Sequence, residues 1–345
     1  MIFQERLNRH HDELRWLYME LYGNDAMFAE LCDQMYEYYK ARKQKLHNRD
    51  AKRIKEAEWF KKKDMLGMML YIDNFAGNLQ GVQTKLDYLK ECNVNCIHLM
   101  PFLDSPEGRS DGGYAVADFR KVKPELGTME DLAKLTDACH AKDMNVCMDF
   151  VMNHTSEDHE WAKRARNGEG EYMSRYFFYD NDKIPKQYEE TVPQVFPTTA
   201  PGNFTYLPDL NHYVLTTFYP YQWDLNYRNP RVFNEMMYNF LFLANQGMDI
   251  IRIDAVPYIW KELGTSCRNL KEVHTIAAEV CAVHEGTIQT ALIESVSEHD
   301  PSMVTGRLSN NLLVHIKGDK GMIGRLADVR LTECKGFYYL GELAE

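Results

Sequence analysis

Arg252 and Asp254 stand two residues apart in the apolar run "MDIIRIDAV" at 248 to 256. On a β-strand both project from one face, and Ile251 and Ile253 from the other. A guanidinium beside a carboxylate lowers its pKa and keeps it ionised, the state of a nucleophile rather than of a proton donor. Taken alone, the pair reads equally well as a structural ion pair. Glu294 stands at the end of a second apolar run, "QTALIESV" at 289 to 296, whose low-dielectric surroundings should raise a carboxyl pKa towards that of a general acid. Two carboxylates whose pKa values are pushed apart suit retaining glycoside cleavage, in which one attacks the anomeric carbon and the other protonates the leaving oxygen, about 5 to 5.5 Å away.

Residues in such a relation need a scaffold that brings strand ends together. Short apolar runs, "MMLYIDNF" at 68 to 75, "VNCIHLMPF" at 94 to 102, "MNVCMDFVMNH" at 144 to 154 and the two above, alternate with helical patterns such as 127 to 142. Near-continuous apolar strands of this kind predict parallel β-structure covered on both faces. Polar residues recur near the C-terminal ends of the runs: Asp73, Asp149 with Asn153 and His154, Asp254 and Glu294. That recurrence fits an α/β fold of the (β/α)8 TIM-barrel type, which carries its active site at that end. Leu14, Leu17, Tyr18 and Leu21, then Phe28, Leu31, Cys32 and Met35, follow helical spacing across a break at Gly23-Asn24. The expected organisation is an N-terminal helical domain at 1–62, the first part of the barrel at 63–154, a small excursion domain after the third strand at 155–222, and the rest of an incomplete barrel at 223–345.

The net charge of −11 argues against a protein that grips nucleic-acid backbone, which needs a basic surface. No apolar run approaches the roughly 20 residues that cross a bilayer, and "MIFQERLNRHHDELRW" lacks a signal-peptide core, so a cytoplasmic protein is expected. The eight cysteines are scattered, and Cys92 and Cys96 lack CxxC spacing, so reduced thiols are expected. The phosphate loop, the dinucleotide GxGxxG after a strand, HExxH and GxSxG are all missing.

"DFVMNHT" at 149 to 155, "GMDIIRIDA" at 247 to 255 and a Glu on the next apolar run resemble three conserved regions of the α-amylase superfamily of glycoside hydrolases. "PEGRSDGGYAV", "NHTSEDHEWAKRA", "QWDLNYRNPRVF" and "FLANQGMDIIRIDAVPYIWKELGTSCRNL" are similar to its sucrose-glucosyltransferase (amylosucrase) branch. The resemblance implies that Asp254 is the nucleophile, Glu294 the general acid/base and Arg252 the group that orients Asp254. It also implies that His154 hydrogen-bonds the glucosyl ring, Tyr114 stacks beneath it and Asp111 closes the pocket, while Asp149 and Asn153 fix His154 and its loop. Sucrose is the implied donor and an α-glucan or other sugar the acceptor, with no cofactor and no metal. A hydrolase of the α-glucosidase or α-amylase type and a remnant that only binds sugar are the alternatives. The family's later His-Asp pair has no counterpart at a strand end after Glu294. His299-Asp300 comes too soon for another βα unit and reads as loop, and "GFYYLGELAE" resembles the family's eighth strand.

Overall fold

The computed structural model describes residues 3–56, 59–61, 64–281, 288–297, 300–308, 313–334 and 338–344. Three helices open the chain: α1 (Phe3–Tyr22), α2 (Asp25–Ala41) and α3 (Gln44–Lys55). The chain divides into two compact units, residues 26–268 and residues 1–25 with 269–345. The expected helical domain is therefore divided, with α1 in the second unit.

In the larger unit the strands that matter are β1 (Gly67–Leu70), β2 (Cys96–Leu99), β3 (Asn145–Val151), the short β4 (His154–Ser156) and β5 (Gln222–Asp224), and β6 (Ile250–Asp254). β1, β2, β3 and β6 form a parallel sheet in that order. Their C-terminal ends therefore lie along one edge, and the register sets Arg252 beside Asp149 and Asp254 beside Val151. The central β3 is buried along nearly its whole length, as a strand covered on both faces must be, whereas the outer β1 and β6 are half-open. Met69 on β1 is 63% exposed.

Helix α4 (Met129–Ala141) starts at a capping box in which Thr128 and Asp131 each satisfy the other's backbone N–H. It buries Leu132, Leu135 and Cys139. Helix α5 (Pro230–Asn245) starts at Asn229, whose side chain accepts from the Arg231 N–H, and Pro230 supplies a helical φ where no donor is needed. Phe240 of α5 meets Phe150 of β3 edge to face, 5.6 Å between ring centres. Gly247, at φ +100°, turns the chain from α5 into β6, and a Cβ there would lie 2.7 Å from Thr136 Oγ1. Residues 155–222 hold short helices and a three-stranded antiparallel sheet of Phe178–Tyr179, His212–Leu215 and Phe204–Leu207.

In the second unit, helix α6 (Lys271–Cys281) precedes five strands: β7 (Ile288–Val296), β8 (Met303–Leu308), β9 (Leu313–Lys317), β10 (Leu326–Cys334) and β11 (Tyr338–Leu343). They close in the order β7-β8-β9-β11-β10, antiparallel except for β9 with β11, which is the arrangement of a small Greek-key barrel of the OB type. Alternate residues fill it, among them Ile293, Val304, Val314, Ile316, Val329, Leu331 and Tyr339.

This barrel corrects two expectations about 223–345. The run at 289 to 296 is not the next parallel strand after β6, and "YYLGEL" is not an eighth strand of that parallel sheet, because both belong to the closed barrel of the second unit, where "YYLGEL" runs parallel only to β9. The chain between β6 and β7, with helix α6 in it, is long enough for a parallel crossover, so length does not decide the pairing; the strands from β7 onward carry one apolar face and follow one another closely, which suits antiparallel pairing among themselves. Such a pattern is satisfied by closing on itself. Asp300 lies in the β7–β8 turn and accepts from Ser302 N and Oγ, while His299 falls outside the described residues.

Candidate active site

Asp149 is the hub of the polar cluster at the C-terminal ends of β3 and β6. Its side chain is fully buried and accepts from Arg252 Nη1 (2.9 Å), Tyr114 Oη (2.9 Å) and His98 Nε2 (3.1 Å). A buried carboxylate is tolerated only when paired and hydrogen-bonded, and three donors meet that need. The same Arg252 nitrogen reaches Asp254 Oδ1 at 3.0 Å, so one guanidinium bridges both carboxylates. That contact follows from the parallel register, which puts Arg252 level with Asp149.

The charge state of Asp254 departs from the expectation. Arg252 alone would lower its pKa, but burial raises it, the negative charges of Asp149 and Asp111 add to that rise, and the net shift is upward. Arg252 is half exposed, so solvent weakens its pull. Asp254 therefore takes up a proton at a higher pH than an ordinary aspartate. Arg252→Gln removes the opposing positive charge, so the acid limb of any Asp254-dependent rate moves to still higher pH. A pH–rate profile of both forms tests this, and superimposable acid limbs would remove Arg252 from the electrostatics of Asp254.

Tyr114 follows Gly113, which sits at φ +98° where a Cβ would meet Pro101 at 2.8 Å. Its hydroxyl is anchored on Asp149, and burial followed by that carboxylate pushes its pKa well above the usual phenol value, so it stays a neutral donor. Asp111, at φ +50°, accepts from Gln222 Nε2 at 3.2 Å, which links its loop to β5.

His154 is buried and stands opposite Asp224 where β4 pairs with β5. Its Nδ1 lies 3.3 Å from Asn153 Nδ2, and Asn153 also donates to Asp224 Oδ2 at 3.0 Å. Burial, helped by the charge of Lys261 and opposed by Asp224, brings its pKa down to about 4, so the ring is neutral at pH 7. With Nδ1 facing the amide nitrogen, Nε2 is the ring nitrogen left to carry a proton; it is buried without a hydrogen bond of ordinary geometry, although the Tyr114 backbone also acts on the ring. An unpartnered buried donor costs stability, and a ligand hydroxyl there relieves that cost. Asn153 touches His154. Asp149 instead holds Tyr114, Arg252 and His98.

Glu294 stands apart from this cluster in the chain's organisation, since it belongs to the antiparallel barrel of the second unit. It is the extra residue of a β-bulge, because the register with β8 passes from Ile293 and Gly306 directly to Ser295 and Thr305. Its carboxylate is partly exposed and accepts from Arg307 Nε at 2.8 Å, surroundings unlike the apolar pocket expected for a general acid. Three residues of the cluster escaped the sequence reading: His98, Asp224 and Lys261. Two of them left a signal, since His98 interrupts an apolar strand and Lys261 follows an aromatic run, but neither pattern shows which carboxylate it meets.

A parallel βα sheet with polar side chains gathered at its C-terminal edge is the arrangement of an α/β architecture of the TIM-barrel type. The family model "Alpha amylase, catalytic domain" matches residues 32–313, and the chain belongs to that family. It is 39% identical over 226 residues to the trehalose synthase/amylase TreS of Mycolicibacterium smegmatis, covering 64% of this chain and 37% of that protein. It is 31% identical to the trehalose-6-phosphate hydrolase of Bacillus subtilis, covering 70% of this chain and 42% of that one. Among solved structures, the isomaltulose synthase of Klebsiella sp. LX3 superposes with a TM-score of 0.56 at 26% identity, over 63% of this chain and 42% of that one. The chain thus spans well under half the length of these relatives. No described helix is long and apolar enough to cross a membrane.

Proposed function

We propose that residues 26–268 carry the glucosyl-binding and nucleophilic half of a retaining α-glucoside-processing site, acting on a disaccharide. The observation that carries this is the cluster at the strand ends: Asp254 bridged through Arg252 to Asp149, and His154 with a buried Nε2 that makes no hydrogen bond of ordinary geometry. In the proposed step Asp254 attacks the anomeric carbon, the bond to the leaving oxygen breaks as that oxygen takes up a proton, and water or a sugar hydroxyl then displaces the glucosyl ester. Tyr114 and Asp111 flank the ring, and Asn153 and Asp149 hold their neighbours in place. Glu294 is the proposed proton donor by its place in the resemblance alone.

Relatives named for trehalose and isomaltulose support a disaccharide substrate. The finer reading, sucrose as donor with release of fructose, rests on the stretches around Asp111 and Trp260. A second reading, sugar binding without turnover, is favoured by the ion pair that occupies Glu294. Titrating trehalose, sucrose and glucose into the protein while assaying released monosaccharide separates the readings. Saturable binding with release supports the retaining enzyme, and binding with no release supports the second reading. Absence of saturable binding for all three sugars would defeat both.

A further inference from the structure

Lys261 and Asp224 form an ion pair in which the two side chains are only 1% and 0% exposed. Both ends of this ion pair are thus removed from water. The Lys261 ammonium has three oxygen partners from three parts of the chain: Asp224 Oδ2 on β5 (2.6 Å), Asn153 Oδ1 between β3 and β4 (3.0 Å), and the Tyr258 carbonyl just after β6. Three acceptors match the three donors of an ammonium. The lysine backbone is itself held, since Arg228 Nε and Nη2 donate to the Lys261 carbonyl at 3.1 and 2.9 Å. Asp224 is equally committed, accepting from Thr217 N and Oγ1 and from Asn153 Nδ2.

The arrangement has a consequence at His154. An amide side chain can present either its oxygen or its nitrogen to a neighbour, and the choice is made by its other partners. Lys261 offers only donors and takes the Asn153 oxygen, while Asp224, held in place by its ion pair with Lys261, accepts from the amide nitrogen, which also faces His154 Nδ1. A donor at Nδ1 leaves the ring hydrogen on Nε2. We infer that Lys261 is a positioning residue that sets the tautomer of His154 through Asn153, and so decides that a ligand meets a donor there rather than an acceptor. The ammonium never touches the ligand. Its charge also disfavours protonation of the ring, against the pull of Asp224.

A merely structural lysine would hold β5 to the β6 loop without dictating the ring. Ring-nitrogen NMR of the full chain, with the His154 signal assigned by its loss in His154→Gln, distinguishes the two. The native protein is expected to show the Nε2–H tautomer at pH 7. The Lys261→Met variant, close in volume but without donors, leaves the Asn153 oxygen without its donor and the buried Asp224 without its cation, so the amide is no longer held from both sides, the signal moves to mixed tautomers and glucose affinity falls about tenfold, one lost ligand hydrogen bond. The inference would be overturned by an Nδ1–H ring in the native protein, a measurement that needs no variant. It would also be overturned by an unchanged tautomer in Lys261→Met. If that variant does not fold, the paired change Lys261→Met with Asp224→Asn removes both buried charges together, and its ring must likewise lose the single Nε2–H state. The tautomer is read without substrate, so this test stands even where the sugar-processing reading fails.

Discussion

Asp254→Asn is expected to abolish formation of a covalent glucosyl adduct on the protein. α-Glucosyl fluoride is the appropriate donor, because fluoride departs without a proton and the test isolates Asp254 from any general acid. In the native chain the carboxylate attacks, the C–F bond breaks, fluoride is released and the protein gains one glucosyl residue, visible as a mass increment in a quenched sample. An amide has no charge with which to form the glycosyl ester, so release should fall by about 10⁴-fold or more. Asn is nearly isosteric, and Arg252 would keep its bond to Asp149, so the fold around the site should persist. Equal fluoride release by native and variant chains would remove Asp254 as nucleophile. The rise in the Asp254 pKa adds a second signature: the native rate should fall on acidification earlier than an ordinary aspartate would dictate, because the protonated form cannot attack.

The largest loss of stability is expected at the other end of the same strand. Asp249, just before β6, is 2% exposed and accepts from Arg49 Nε (2.9 Å), Arg53 Nη2 (2.7 Å), His140 Nε2 (3.0 Å) and the Val146 N–H (2.7 Å). It ties α3 and α4 to the N-terminal edge of the sheet. Asp249→Ala leaves two partly buried guanidinium groups without their acceptor, and should cost about 3 to 5 kcal/mol of unfolding free energy, or a fall in Tm of roughly 10 °C. Burial by itself raises the Asp249 pKa, but the hydrogen bond and charge of His140 with those of Arg53 and Arg49 outweigh it, and the net shift is downward from 3.8. A depressed folded-state pKa contributes stability above the unfolded value that is lost as pH falls through the folded one. Native stability should therefore fall below about pH 4, and Asp249→Asn should show a shallower acid loss. Urea titrations at neutral and acidic pH measure both effects. A change under about 1 kcal/mol at neutral pH would show that the cluster is not a tie between helices and sheet.

The parallel sheet was legible because its strands are apolar on both faces and separated by helices, a pattern few other arrangements accommodate. Arg252 and Asp254 were legible because strand geometry alone puts residues two apart on one side. Helical spacing at 14 to 21 and 28 to 35 was likewise sufficient to predict α1 and α2, but not that they fall in different units. Glu294 was misplaced for a specific reason. An apolar run of eight residues carries no mark of the partner it will pair with, and β7 found antiparallel neighbours in β8, next in the chain, and β10, further along it, instead of joining β6.

The amino-acid sequence by itself determined the βα rhythm, the shared face of Arg252 and Asp254, and the family to which the chain belongs. Those follow from local periodicity and from residue types at short spacing, which need no knowledge of distant contacts. Tertiary structure decided the rest: that Arg252 bridges Asp149 as well as Asp254, that burial and like charge outweigh the arginine at Asp254, that Lys261 meets Asn153 and Asp224, and that Glu294 sits in a bulge of a separate barrel. Proton affinities and pairings of this kind depend on groups far apart in the chain and on how much water is excluded around them, and both quantities exist only once the chain has folded.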